Sequence, residues 1–267
     1  MKSFPIILAD IFSTGMYKIS ESLMEISYKN GEMQMIYPYG FYYDYTMIIL
    51  IPAILLTLYA QGKVRSNFER YLRVPTRRGY SGAQVARILL DQNGLRDIPI
   101  EIARGQLTDH YDPTRRVLRL SGEVYQGSSI AAVSVAAHEV GHAIQHANRY
   151  VPLSLRNAIF PVARFGSSAA WGFIMIGFLI PSLGGLMDIG ILLFAAAVLF
   201  QIITLPVEFN ASRRALELLD SNGLIYSVEE EEGAQNVLRA AALTYVAAMA
   251  SGIAQLARLI LIRNRRR

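Results

Sequence analysis

The chain has 267 residues, 52% of them hydrophobic, with a mean hydropathy of +0.29, which is too apolar for an ordinary water-soluble protein. It has no cysteine, which excludes disulfides and thiolate metal sites and leaves His and carboxylates to hold any metal. A net charge of +5 fits nucleic-acid binding or a membrane protein with basic loops. The hydropathy favours the membrane, and no Gly-rich phosphate loop or aromatic-interleaved basic motif supports a nucleic-acid partner.

Residues 1–40 read as an N-terminal extension. Its apolar positions (Ile6, Ile7, Leu8, Ile11, Phe12) are interrupted by Lys2, Lys18 and Lys29, and it lacks the pattern of a cleaved signal peptide. The expected natural start is Met33 or Met35, with an interfacial helix as the alternative reading of this stretch.

A membrane span needs about 20 apolar residues. The first span is expected within 41–61, from about Thr46 to Ala60 behind an aromatic flank (Phe41, Tyr42, Tyr43, Tyr45). Two more run from about Ala158 to Leu183 and from Leu186 to Val207, a hairpin within 157–207. A fourth stretch, Ala240 to Ile262, carries Thr244, Tyr245, Ser251, Gln255 and Arg258 and reads either as a packed span or as an interfacial helix. The expected class is therefore mainly α: an integral membrane helical protein of three to four spans with a small α+β juxtamembrane domain at 62–156. Residues 208–267 form the remaining C-terminal segment, and their acidic run Glu229 to Glu232 reads as a solvated turn or a helix start.

The 62–156 region opens as a basic loop (Lys63, Arg65, Arg70, Arg73, Arg77, Arg78). Ser81 caps an amphipathic helix to about Leu90, closed by Asn93-Gly94. Ile98–Ile102 and Val117–Leu120 alternate like strands, with the turn Asp112-Pro113 between them. The basic loop and the uncharged-to-acidic hairpin at 181–188 place this domain in the cytoplasm. The tail Arg263–Arg267 opposes that orientation if the fourth stretch crosses.

Residues 138–142 read His-Glu-Val-Gly-His behind a Ser128-Ser129 cap and the apolar run Ile130–Ala137. On a helix, i and i+4 share a face. His138 and His142 can therefore meet one zinc ion, with Glu139 beside them as the base for a metal-activated water. The bland reading is a core helix that happens to carry two His and a Glu. Burying those three groups needs a reason, and zinc supplies one. Gly141 costs helix propensity, about 1 kcal/mol, and marks close approach of another backbone or of substrate.

A third ligand is required. His146 shares the face, but i and i+8 lie about 12 Å apart along the axis, whereas zinc–nitrogen bonds are about 2 Å. His146 is expected to be structural or to support a ligand from behind. The better candidate is Glu208, at the end of the third span and on the same side as the zinc helix. The alternative for Glu208 is an interfacial pair with Arg213 or Arg214.

These blocks resemble the YugP-like family of bacterial membrane zinc metallopeptidases over about Tyr37 to Arg267. The resemblance rests on Leu58–Gln61, Leu107–Pro113, Arg119–Ser121, Ala136–Gln145, Leu205–Ala215 and Ala240–Ala247. A looser likeness is to gluzincin membrane proteases, whose later motif is Glu-x-x-Ala-Asp. Glu208-Phe-Asn-Ala-Ser212 is similar, with Ser212 where the Asp stands. The resemblance implies a bacterial multi-pass membrane endopeptidase with one Zn²⁺ per chain, held by His138, His142 and Glu208, with Glu139 as general base. It implies peptide or membrane-protein substrates and names none.

Further residues are expected near the site, as supporting or substrate-contacting groups: His146, His110, Tyr111, Asp109, Asn210 and Ser212. His110 or Tyr111 is a candidate oxyanion donor, against a purely structural turn held by Asp109 and Asp112. The strand Arg116–Leu120 is expected as the edge that pairs with extended substrate. Other classes also fit the sequence: an inactive membrane scaffold that keeps the zinc helix, or a lipid-binding adaptor. The oligomeric state is open.

Overall fold

The computed structural model describes residues 26–29, 32–35 and 45–265. The expectation for residues 1–34 falls largely outside them. The described part pairs as antiparallel strands β1 (Ile26–Lys29) and β2 (Glu32–Met35). The aromatic flank Phe41 to Tyr43 also lies outside the described residues.

Four helices are long and apolar enough to cross a membrane. A 3-10 turn, Tyr45–Ile49, leads into α1 (Leu50–Leu72). The others are α5 (Val151–Leu179), α6 (Gly185–Ser221) and α7 (Val228–Asn264). Between α1 and α5 lie α2 (Gly82–Gln92), β3 (Ile100–Ala103), β4 (His110–Asp112), β5 (Val117–Ser121), α3 (Gly122–Gln126) and α4 (Ile130–Ala147). The protein is thus a mainly α membrane protein with a small α+β portion.

Several expected elements form for the reasons their residues gave. Ser81 and Gln84 close a reciprocal capping box on α2. Ser129 accepts from Ala132 N at the start of α4. Three boundaries differ. The first helix does not stop at Ala60 but continues to Leu72, so Lys63, Arg65 and Arg70 are helical and not in a loop. No proline lies between Ala60 and Leu72, the single Gly62 costs only about 1 kcal/mol, and Arg65 pairs with Glu69 one turn on. The segment limits 61/62, 156/157 and 207/208 accordingly fall inside α1, α5 and α6.

The sheet order is β3-β5-β4, with β5 parallel to β3 and antiparallel to β4. This corrects the expected edge strand: β5 is paired on both sides and has no free ladder for substrate. It is interior because Leu118 and Leu120, on one face, pack into the domain core with Leu89, Val133 and Val140, while β3 and β4 take its two ladders. The edge nearer α4 belongs to β4.

The long helices set the position of everything else. At 1.5 Å per residue, the 37 residues of α6 measure about 55 Å, against a hydrocarbon core of about 30 Å. The crossing part of α6 is its apolar stretch 186–207, and the remainder reaches into the domain. α5 and α6 form the expected hairpin. A Cβ on Gly190 would stand 2.8 Å from Ala170 O, so only glycine lets these backbones close. At the far end, Arg263 makes a two-pronged pair with Asp188, at 2.5 and 2.9 Å. α7 therefore runs back along the whole length of α6. The fourth stretch is a packed helix of full span length, and its C-terminus lies at the hairpin end.

Candidate metal centre

α4 carries the motif past α6 at close range. A Cβ on Gly141 would stand 2.8 Å from Ala211 O, so the close approach expected there is to the α6 backbone. The crossing brings His138 and His142 to Glu208. His138 Nε2 lies 3.3 Å and His142 Nε2 3.5 Å from Glu208 Oε2. Candidate ligand atoms of the three residues all lie within 4.8 Å of one another. The two rings stand edge to face at 87°.

The hydrogen bonds fix what these atoms present. Gln145 is fully buried, and its Nε2 donates to Val207 O (2.8 Å) and Asn210 Oδ1 (2.9 Å). Its Oε1 must then face His142 Nδ1, 3.0 Å away, and accept its N–H. That tautomer leaves a lone pair on Nε2. Ser212 Oγ stands 3.2 Å from His138 Nδ1 and can accept in the same way. Arg214 Nε donates to Asn210 Oδ1, and Asn210 in turn holds Gln145.

Two imidazole lone pairs thus converge on a carboxylate oxygen that is buried and accepts no hydrogen bond. Three acceptors facing each other repel unless a cation lies among them. Separations of 3.3–3.5 Å match two ligands of one tetrahedral ion at bond lengths of about 2.0–2.1 Å. The residues therefore fit zinc. The other Glu208 oxygen, Oε1, faces Arg156 Nη1 at 3.4 Å. The alternative partners Arg213 and Arg214 are engaged with Glu217 and Asn210 instead. The Tyr245 ring, from α7, lies close to both Glu208 and Glu139.

Glu139 is buried beside this cluster, and its Oε2 accepts the Tyr111 backbone N–H at 2.9 Å. Burial pushes its carboxyl up to about 7; the nearby Asp109 and Glu208 carboxylates add to that push, against His138 and the Tyr111 N–H.

The remaining candidates divide. His146 is not among the converging atoms; its Nδ1 bonds the Tyr111 hydroxyl at 2.9 Å. That contact also occupies the hydroxyl expected as an oxyanion donor. His110 Nδ1 bonds the Thr108 carbonyl at 2.7 Å. Asp109 accepts from the Ser121 N–H (2.7 Å) and hydroxyl, and Asp112 caps the turn through the Thr114 and Arg115 N–H groups. Both aspartates hold the β4–β5 hairpin. Sequence reasoning assigned no role to Gln145, Arg156 or Tyr245. The available signal was Gln145 at i+3 from His142, the reach of a helical side-chain pair.

The fold and site define a helical membrane protein with a two-His, one-Glu cluster at the membrane end of a small α+β portion. The chain belongs to the family described as "Putative neutral zinc metallopeptidase", whose model it matches over residues 46–264. It is 54% identical over 216 residues to the "Putative membrane protease YugP" of Bacillus subtilis (strain 168), covering 81% of this chain and 95% of that protein. No solved structure matches.

Proposed function

We propose that the protein is a zinc-dependent endopeptidase of a bacterial membrane, with His138, His142 and Glu208 holding one Zn²⁺ per chain and Glu139 acting as general base. The observation that carries the reading is the unpartnered, buried Glu208 Oε2 facing two imidazole lone pairs, with a buried carboxylate on the adjacent residue of the same helix. Bound zinc would supply Lewis acidity, bringing the pKa of a water toward about 7 and polarising the scissile carbonyl.

The chain's own groups do the rest. Glu139 takes a proton from the attacking water as its oxygen bonds to the carbonyl carbon. It returns that proton to the nitrogen as the C–N bond breaks, so the products are a carboxylate and an amine. The Tyr111 N–H fixes one carboxylate oxygen of Glu139, leaving the other for the proton. Gln145 and Ser212 hold the two rings in their ligand orientation.

The catalytic side faces the cytoplasm in this proposal. The domain ends of the helices carry Lys63, Arg65, Arg70, Arg73, Arg213 and Arg214, more than the Arg-rich tail at the other end. The test is peptide hydrolysis by purified protein, wild type against Glu139→Gln, with and without a zinc chelator. Cleavage abolished by both treatments is the expected result. Equal behaviour of the two proteins would leave the site without its mechanism and favour a membrane scaffold.

A further inference from the structure

The side chains around Glu208 are rooted in helices that cross the membrane. Val207 ends the apolar stretch of α6, and Glu208 follows it, about 2 Å further along the axis. Gln145 is tied to the Val207 carbonyl itself. Arg156 reaches Glu208 from the second turn of α5, just before the apolar stretch that begins near Ala158. Tyr245 reaches it from within the apolar stretch 240–262, about 8 Å past that stretch's start. A helical side chain leans toward its own N-terminus, which brings the Tyr245 hydroxyl back toward the domain end. Groups from three spans meet at the boundary between hydrocarbon and headgroups, where Tyr and Arg are at home.

The rim at this level is apolar as well. Phe209, beside Glu208, is 49% exposed, and Val151 and Leu155, at the start of α5, are 74% and 47% exposed. In water these side chains would be a cost; at the edge of a bilayer they are covered.

We infer that the substrate is a polypeptide segment emerging from the bilayer, cut within a few residues of the point where it leaves the hydrocarbon. The inference rests on the peptidase reading and adds where the scissile bond must be. An extended chain advances about 3.3 Å per residue. One residue beyond a transmembrane segment already spans the distance to the level of Glu208, and two or three more keep a peptide bond within about 10 Å of it, with no need for the chain to fold back. A water-borne peptide must instead enter through the headgroup layer.

The experiment uses full-length protein in proteoliposomes. One cleavable sequence is joined to a single transmembrane helix by a spacer of about three residues. A second carries a Pro-rich spacer of about 20 residues, which holds the same sequence about 60 Å out at about 3.1 Å per residue. A third is the free peptide. Wild-type protein is expected to cut the short-spacer substrate at least about 50-fold faster than either of the others. Glu139→Gln, with a photo-crosslinking residue at the scissile position, is expected to capture the short-spacer substrate alone. Equal cutting of all three would overturn the inference and leave the peptidase intact. Cutting of none, without selective capture, would overturn both.

Discussion

Gln145 Oε1 sits 3.0 Å from His142 Nδ1 on the same helix, and the amide is turned that way by the Val207 carbonyl and Asn210 of α6. One buried amide therefore sets the His142 tautomer and ties α4 to the helix that brings Glu208. Gln145→Leu removes the acceptor while keeping an apolar fill. Zinc affinity is expected to fall by about 10–100-fold, the usual cost of losing a ligand's supporting partner. Competition with a chromogenic chelator reads it. Unchanged affinity would show that the His142 tautomer is set elsewhere.

Glu208→Gln keeps the volume but offers one lone-pair oxygen in place of a carboxylate. Wild-type protein at 100-fold excess of zinc over Kd should gain about 2.7 kcal/mol of stability. The variant is expected to show most of that gain gone, as a melting transition that zinc no longer shifts. A full zinc shift in Glu208→Gln would remove Glu208 from the ligand set.

Glu139→Gln should separate binding from turnover. Loss of a general base costs about 10²–10⁴-fold in rate, while exchanging one Glu139 carboxylate oxygen for an amide nitrogen leaves His138, His142 and Glu208 in place. Hydrolysis is expected to drop by that factor with zinc stoichiometry, measured by metal analysis, unchanged. A variant that loses its metal as well would make Glu139 a ligand.

Glu230 gives a pH prediction away from the site. It lies in the first turn of α7, outside the apolar stretch, and accepts the backbone N–H groups of Arg77 (2.7 Å), Tyr226 (2.6 Å) and Ser227 (3.1 Å). Desolvation pushes its carboxyl up, but these hydrogen bonds outweigh that and hold it below the usual value. A carboxylate depressed in the folded state stabilises the fold above its unfolded pKa, about 4.3. That stability is lost as pH falls through the lower folded value. Glu230→Ala should cost about 1–2 kcal/mol at neutral pH, as loss of a cap does, and less in acid. Thermal melts at pH 7 and below pH 4 check both the size and the sign. A pH-independent cost would assign the effect to packing.

The helix ends can be placed with single cysteines, because the natural chain has none. Ser66→Cys, on the exposed continuation of α1, and Asn264→Cys, at the end of α7, should react with an impermeant thiol reagent from opposite sides of the membrane. Asn264→Cys is expected to label from outside intact cells and Ser66→Cys only after lysis. The reverse pattern would invert the orientation, and labelling from one side would mean that α7 does not cross.

Much of this molecule was legible in order along the chain. The apolar lengths of the spans, the Ser81 and Ser129 caps and the 138–142 spacing are local properties, governed by periodicity and capping that neighbouring residues alone satisfy. They singled out the helix that carries His138 and His142, and the topology of the hairpin returned Glu208 to the same side. Tertiary structure decided what local pattern does not contain. β5 became interior because β3 joined it in parallel on the side opposite its hairpin partner β4, which removed the expected substrate edge. α1 ran on to Leu72 because no proline follows Ala60 and one glycine, Gly62, is not enough to end it. Arg156, Tyr245 and the orientation of Gln145 around Glu208 and His142 are set by where α5, α6 and α7 cross α4, and hydrogen bonds between residues 52 to 65 positions apart leave no periodic trace in the sequence.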